Sequence, residues 1–185
     1  MPLTKIQSLG ITDGTIVNAD INASAAIATT KLGAGAVLQV VSTTKTDTFT
    51  TTSTSYTDIT GMSASITPSS TSNKILVLVE INGGALDQAY IKLVRTSTDI
   101  NVGAAAGSRT LASGGDMYNL GTSGTIRCTH LSFLDSPSTT SSTTYKIQGR
   151  IISATTFAIN RSTNDGDSSN LARTASNITL IEIKG

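Results

Sequence analysis

Few residues of this chain can do chemistry. There is one histidine, His130, one cysteine, Cys128, and two glutamates, Glu80 and Glu182, beside ten aspartates. A Ser-His-Asp site must use His130. That residue falls inside the run Ile126 to Leu134 and reads as a packed or surface strand residue. One cysteine and one histidine do not make a zinc site, which draws on several such ligands. A glycosidase needs two carboxylates at a set separation across a groove. Glu80 and Glu182 lie in or beside strong strand patterns, and neither has an acidic neighbour in sequence. No catalytic residue, metal or cofactor is expected, and the chain reads as a non-enzyme.

Two loops hold the remaining candidates. Asn164-Asp165-Gly166-Asp167 has part of the look of a calcium loop, with Asp165 and Asp167 as its ligands. It lacks the remaining spacing and the terminal bidentate Glu, so a plain Asx/Gly turn is the preferred reading. Gly114 to Gly121 is the candidate contact loop for a glycan. Sugar sites favour an aromatic face beside amide and carboxylate groups, because the ring stacks on C–H bonds while polar atoms orient hydroxyls. Tyr118, Asp116 and Asn119 supply these types; the competing reading packs Tyr118 inward. The sequons at Asn22, Asn160 and Asn177 are expected by chance in a chain with 56 Ser and Thr residues.

The elements that must position these residues are strands. Charged residues are 14% of the chain, about half the usual share, which disfavours long exposed helices. Strand patterns cover Val37–Val41, Thr46–Thr52, Tyr56–Ile59, Met62–Ile66, Lys74–Ile81, Ala89–Arg95, Ile126–Leu134, Thr144–Ser153, Thr156–Asn160 and Asn177–Ile183. Turn-forming clusters such as Pro68 to Asn73 separate them. Within Lys74–Ile81 the run Ile75 to Val79 is apolar at every position, which predicts a central strand covered on both faces. Gly103 to Gly124 reads as loops with at most a short strand. The spacing predicts an all-β body over residues 37–185, an antiparallel β-sandwich or jelly roll.

Residues 1–36 follow another rule. Ile6, Ile11, Ile16 and Ile21 stand five apart, followed by Ile27, Leu32 and Val37. Five residues advance a helix by about 500°, so the isoleucines form no stripe. On a strand an odd spacing alternates their faces. The segment cannot bury its own apolar residues and reads as an extended stalk or anchor that lies against a partner, through Ile6, Ile11, Ile16, Ile21, Ile27 and Leu32. Gly33 to Ala36 reads as a flexible joint.

Composition excludes several partners. Net charge is +1 and the thirteen Lys and Arg residues are scattered, so nucleic acid is not an expected ligand. The apolar run Ile75 to Val79 is far too short to span a bilayer. No apolar h-region follows Met1 to Lys5, and one cysteine excludes an intrachain disulfide; synthesis in a cytoplasm is expected. With aromatics at 4% and no Trp, the core must be aliphatic and light, a type often completed by oligomerisation.

The stretch ITDGTIVNADINASAAIATTKL resembles the short repeats that precede the distal domains of bacteriophage tail-fibre-like proteins, notably marine ones. SYTDITGMSASITPSSTSNKILV, FLDSPSTTSSTTYKIQGR and NITLIEIKG resemble pieces of small phage virion proteins. The resemblance covers about two-fifths of the chain. It implies a virion structural protein, made in the host cytoplasm: a homotrimeric fibre or spike whose N-terminal segment binds capsid, portal or tail. Its β-domain would face outward, towards a host surface glycan. The chain is short for a fibre, which puts a capsid decoration (cement) protein on a comparable footing. A tail-spike glycan hydrolase is the further alternative.

Overall fold

Thr, Ile and Val alternating with Ser and Ala favour strands, because branched side chains stand well on a pleated surface and successive residues face opposite sides. The computed structural model describes residues 31–115, 117–119 and 123–185. Among them it forms β1 (Val37–Lys45), β2 (Phe49–Thr51), β3 (Thr57–Ile66), β4 (Lys74–Ala85), β5 (Ala89–Arg95) and β6 (Thr98–Ile100). Then come β7 (Gly114–Gly115), β8 (Arg127–Asp135), β9 (Thr143–Ile151), β10 (Phe157–Ile159) and β11 (Ser176–Ile183). No α-helix occurs among the described residues. Ala34–Gly185 is one compact unit. The expected anchor lies, up to residue 30, outside the described residues. Two residues of the expected joint are tied down. The Gly35 N–H donates to the Lys184 carbonyl and the Lys184 N–H to the Ala36 carbonyl, both at 2.8 Å.

Every pairing among the strands β1 to β11 is antiparallel. One sheet runs β1–β11–β4–β8; β10, with β2 beyond it, pairs the far end of β4 on the β11 side. The second sheet runs β3–β9–β5, with β6 and β7 end to end on the other side of β5. The partners nest: β1 with β11, β3 with β9, β4 with β8, β5 with β6. The chain is one long hairpin rolled on itself, the jelly-roll form of a β-sandwich.

Period two sends Ile75, Val77, Val79 and Ile81 of β4 inward, into one cluster with Ile91 and Leu93 of β5 and Tyr145 and Ile147 of β9. None of these is more than 3% exposed. Each fully buried aliphatic side chain contributes about 1.5–3 kcal/mol before ordering costs.

Three local expectations change. Tyr56–Ile59 and Met62–Ile66 belong to one chain path, with β3 bulged between them. Gly61 takes φ +84°, and the register to β9 shifts between Asp58 and Ser63. The inward set therefore jumps from Ile59 to Met62, three residues on, which an unbulged strand cannot do. The strand β6 follows a turn at Thr96, φ 56°, and its three residues were too few to show a pattern. Finally, β4 is central but covered on one side only. Leu76 and Leu78 are half-buried on its outer face, and no second layer lies over them among the described residues.

Asn160 pins the end of the roll. It is fully buried, with φ 61°. Its Nδ2 donates to the carbonyls of Lys45 (2.8 Å) and Asp47 (2.9 Å), and its Oδ1 accepts from Ser176 Oγ (2.6 Å). Asparagine tolerates this left-handed conformation better than most residues. Asn160→Ala is expected to lose about 2–3 kcal/mol, read as a lower urea midpoint with an unchanged slope. A loss under about 0.5 kcal/mol would contradict this role. The same burial removes Asn160 as a glycosylation acceptor.

Candidate functional site

Cross-strand register arranges the outer face of the β1–β11–β4–β8 sheet in rows. Val40, Ile181, Leu76 and Leu134 stand opposite one another in one row. Ser42, Thr179, Leu78 and Ser132 make the next, and Thr44, Asn177, Glu80 and His130 the third. Asn82 and Cys128 pair beyond them. The face thus grades from aliphatic to polar along the strands. Val40 is 58% and Leu134 47% exposed.

The polar end gathers the only histidine, the only cysteine and one of the two glutamates. Cys128 Sγ lies 3.2 Å from His130 Nε2 and 4.0 Å from Glu80 Oε1. Glu80 also accepts from Asn82 Nδ2 (3.3 Å) and Asn177 Nδ2 (3.5 Å). A groove of about 350 Å³ runs beside them, lined by Leu78, Glu80, His130, Ser132 and Asn177. A thiol beside an imidazole is the beginning of a nucleophilic pair. Partial burial, and then the negative charge of Glu80, instead push the Cys128 thiol up. A reactive thiolate needs electropositive surroundings, and this one has a carboxylate. Among the described residues no three His, Cys, Asp or Glu side chains stand together as a metal site.

Sequence reasoning placed His130 on a strand but did not assemble this cluster. The two-residue spacing of Cys128 and His130 was a legible sign of a shared face. The register that brings Glu80 beside them was not, because pairing of β8 with β4 is a tertiary fact.

The other candidates separate. Glu80 stands on the outer face of its sheet, whereas Glu182 points inward and is 1% exposed. These two carboxylates cannot flank one glycosidic bond. In the contact loop, Asp116 lies outside the described residues. Tyr118 is half-buried and bridges Ala85. Asn119 is 3% exposed, and its Nδ2 donates to the Thr125 carbonyl at 2.9 Å. Its amide is therefore not presented to a glycan, which corrects the expected role. The cause is close packing: a Cβ on Gly84 would meet Asn119 Nδ2 at 2.5 Å, and Met117 enters the core at 0% exposure. Met117 and Asn119 pack into the sandwich instead of projecting.

At the Asx/Gly loop, Asn164 Oδ1 accepts from the Gly166 N–H at 3.2 Å, the preferred turn. Asp165 pairs with Arg173 and lies 3.6 Å from Arg161 Nε, so two cations occupy the proposed calcium ligand. Of the anchor residues, Ile6, Ile11, Ile16, Ile21 and Ile27 lie outside the described residues, and Leu32 alone is within them. The chain matches no family model and no curated protein.

Proposed function

We propose that this protein is a structural component of a bacteriophage virion. It is a homotrimeric fibre or spike part, held to capsid, portal or tail by its N-terminal segment, with the jelly roll facing outward. The observation that carries the reading is where the chain uses its polar chemistry. Glu182, Asp135 and Asn160 are buried in contacts that fix the roll, while the open Cys128–His130–Glu80 cluster holds a thiol pushed away from ionisation. These contacts suit a chain that serves as a stable surface. Jelly rolls recur in viral capsid and lectin domains, an analogy of fold that supports the reading without fixing it. The quoted N-terminal repeats supply the phage resemblance.

Deleting residues 1–32 is expected to leave a folded body that no longer joins the particle, because six aliphatic anchors per chain act together. Quantitative labelling of purified particles checks this, and an undiminished copy number sinks the reading. Label on the head instead of the tail would favour the decoration alternative. Glycan hydrolysis is disfavoured by the opposite faces of Glu80 and Glu182.

A further inference from the structure

We infer that the outer face of the β1–β11–β4–β8 sheet is a self-association surface, on which a second copy of this chain packs about a twofold axis. This contact goes beyond the virion reading and does not rest on it.

The first observation is the sequence of β4. Its run Ile75 to Val79 is apolar at every position, the pattern of a strand covered on both faces. The second sheet covers the inner face, while Leu76 and Leu78 remain half-buried on the outer one. Neighbouring strands extend the apolar surface with Val40, Ile181 and Leu134. Five strand-borne aliphatics on one face form a patch, which marks an interaction site where single exposed residues do not.

The second observation decides what covers it. Lys74 and Glu80 both stand on this outer face, at opposite ends of the apolar stretch. Neither has an ion-pair partner among the described residues: Lys74 is exposed, and Glu80 meets only Asn82, Asn177 and Cys128. They lie about 20 Å apart along the strand. A twofold axis in the plane of the face, crossing β4 at Val77, lays β4 antiparallel on its own copy. Lys74 then meets Glu80 of the partner subunit twice, and Leu76 interdigitates with Leu78 of the partner subunit. An isologous contact of this kind requires a self-complementary patch. Along β4, a cation at one end, an anion at the other and the Leu76–Leu78 pair between satisfy that requirement, while the aliphatic row of each copy lies over the Ser/Thr row of the other. Aligned sheet packing at about 10 Å fits such faces. Four strands span about 19 Å, so the footprint is smaller than that of a standard interface and pairing depends on concentration.

The test uses the full chain, at about 100 μM, in sedimentation velocity and light scattering. The parent is expected at twice the mass of its unpaired form if that is a monomer, and at twice or more if it is a trimer joined elsewhere, which carries three such faces. Lys74→Glu and Glu80→Lys each set two like charges against each other, and each is expected to weaken pairing ~10-fold or more and at least halve the mass. The double variant Lys74→Glu/Glu80→Lys restores the charge pairing and the mass. Leu76→Ser, at an outer-face position, also at least halves it. Thermal midpoints within a few degrees of the parent's exclude misfolding. A mass that neither single reversal changes, or that the double variant leaves halved, overturns the inference. A face covered instead by another virion protein would give the same mass for every variant, and overturns it too.

Discussion

Asp135→Ala is expected to destabilise the protein by about 3–5 kcal/mol, a fall of roughly 10–15 °C in Tm for a domain of this size. Asp135 ends β8 in one sheet and is 6% exposed. Across the sandwich, Arg95 of β5 places Nη1 2.8 Å from both carboxylate oxygens. Tyr145 of β9, fully buried, donates its hydroxyl to Oδ2 at 2.6 Å. One carboxylate thus joins three strands and both sheets. Burial, then the bond to Asp135 and its charge, push the Tyr145 hydroxyl far above its ordinary value, so it stays a donor throughout the accessible pH range. The cost of the alanine variant comes less from the lost attraction than from what stays behind. An arginine three-quarters buried and a phenol without an acceptor keep their desolvation penalty and lose its compensation. Tyr145→Phe removes one donor and no charge, and should cost about 1–1.5 kcal/mol. Urea titrations of both variants check the ordering. Equal losses would show that the Arg95–Asp135 pair contributes nothing beyond the phenol bond.

How much of this could be read from sequence divides along a physical line. Strand existence was legible, because alternation in Met62–Ile66 or Asn177–Ile183 is a local signal of one buried face. The hairpin nesting was not. Nothing in Val37–Val41 says that it pairs with the last strand of the body; that choice is made by summed burial across distant residues. Irregularity was legible only as an interruption. Thr60-Gly61 looked like a break between strands and is a bulge within β3. Buried polar residues were the least legible. Glu182, Asp135 and Asn160 resemble surface residues by type, and only the partners supplied by remote strands make them interior. For the same reason the burial of Asn119 was not legible: it has the right chemistry for a glycan, but Gly84 lets it sink against β4. The apolar run in β4 is a legible pattern, yet the described residues supply only one of the two covers it calls for.

Glu182→Ala is expected to cost about 3–4 kcal/mol, and Glu182→Gln about half of that. Glu182 lies on the inward side of β11, 1% exposed. Its Oε1 accepts from the Ser69 N–H (2.6 Å), Ser69 Oγ (2.8 Å) and Asn73 Nδ2 (2.6 Å), and its Oε2 from Gln39 Nε2 (2.6 Å). The carboxylate therefore ties β1 and the turn at Pro68–Asn73 to the last strand. Burial alone would raise its pKa, but the donors from Asn73, Gln39 and Ser69 outweigh it and hold the group below its ordinary value of 4.5. A depressed folded pKa gives stability that is fully present above the unfolded value and is lost as pH falls through the folded one. Asp58 is also held low, by Lys146 and Gln148, so acid sensitivity should begin near pH 4.5 and deepen below it. Glutamine keeps the shape and one acceptor but cannot titrate. The Gln variant should therefore be less stable than the parent at pH 7 and show a shallower loss of urea midpoint between pH 5 and pH 3. A parent and variant with parallel pH profiles would mean that the ionised form of Glu182 gains nothing from its four donors, and the turn would then owe its position to packing alone.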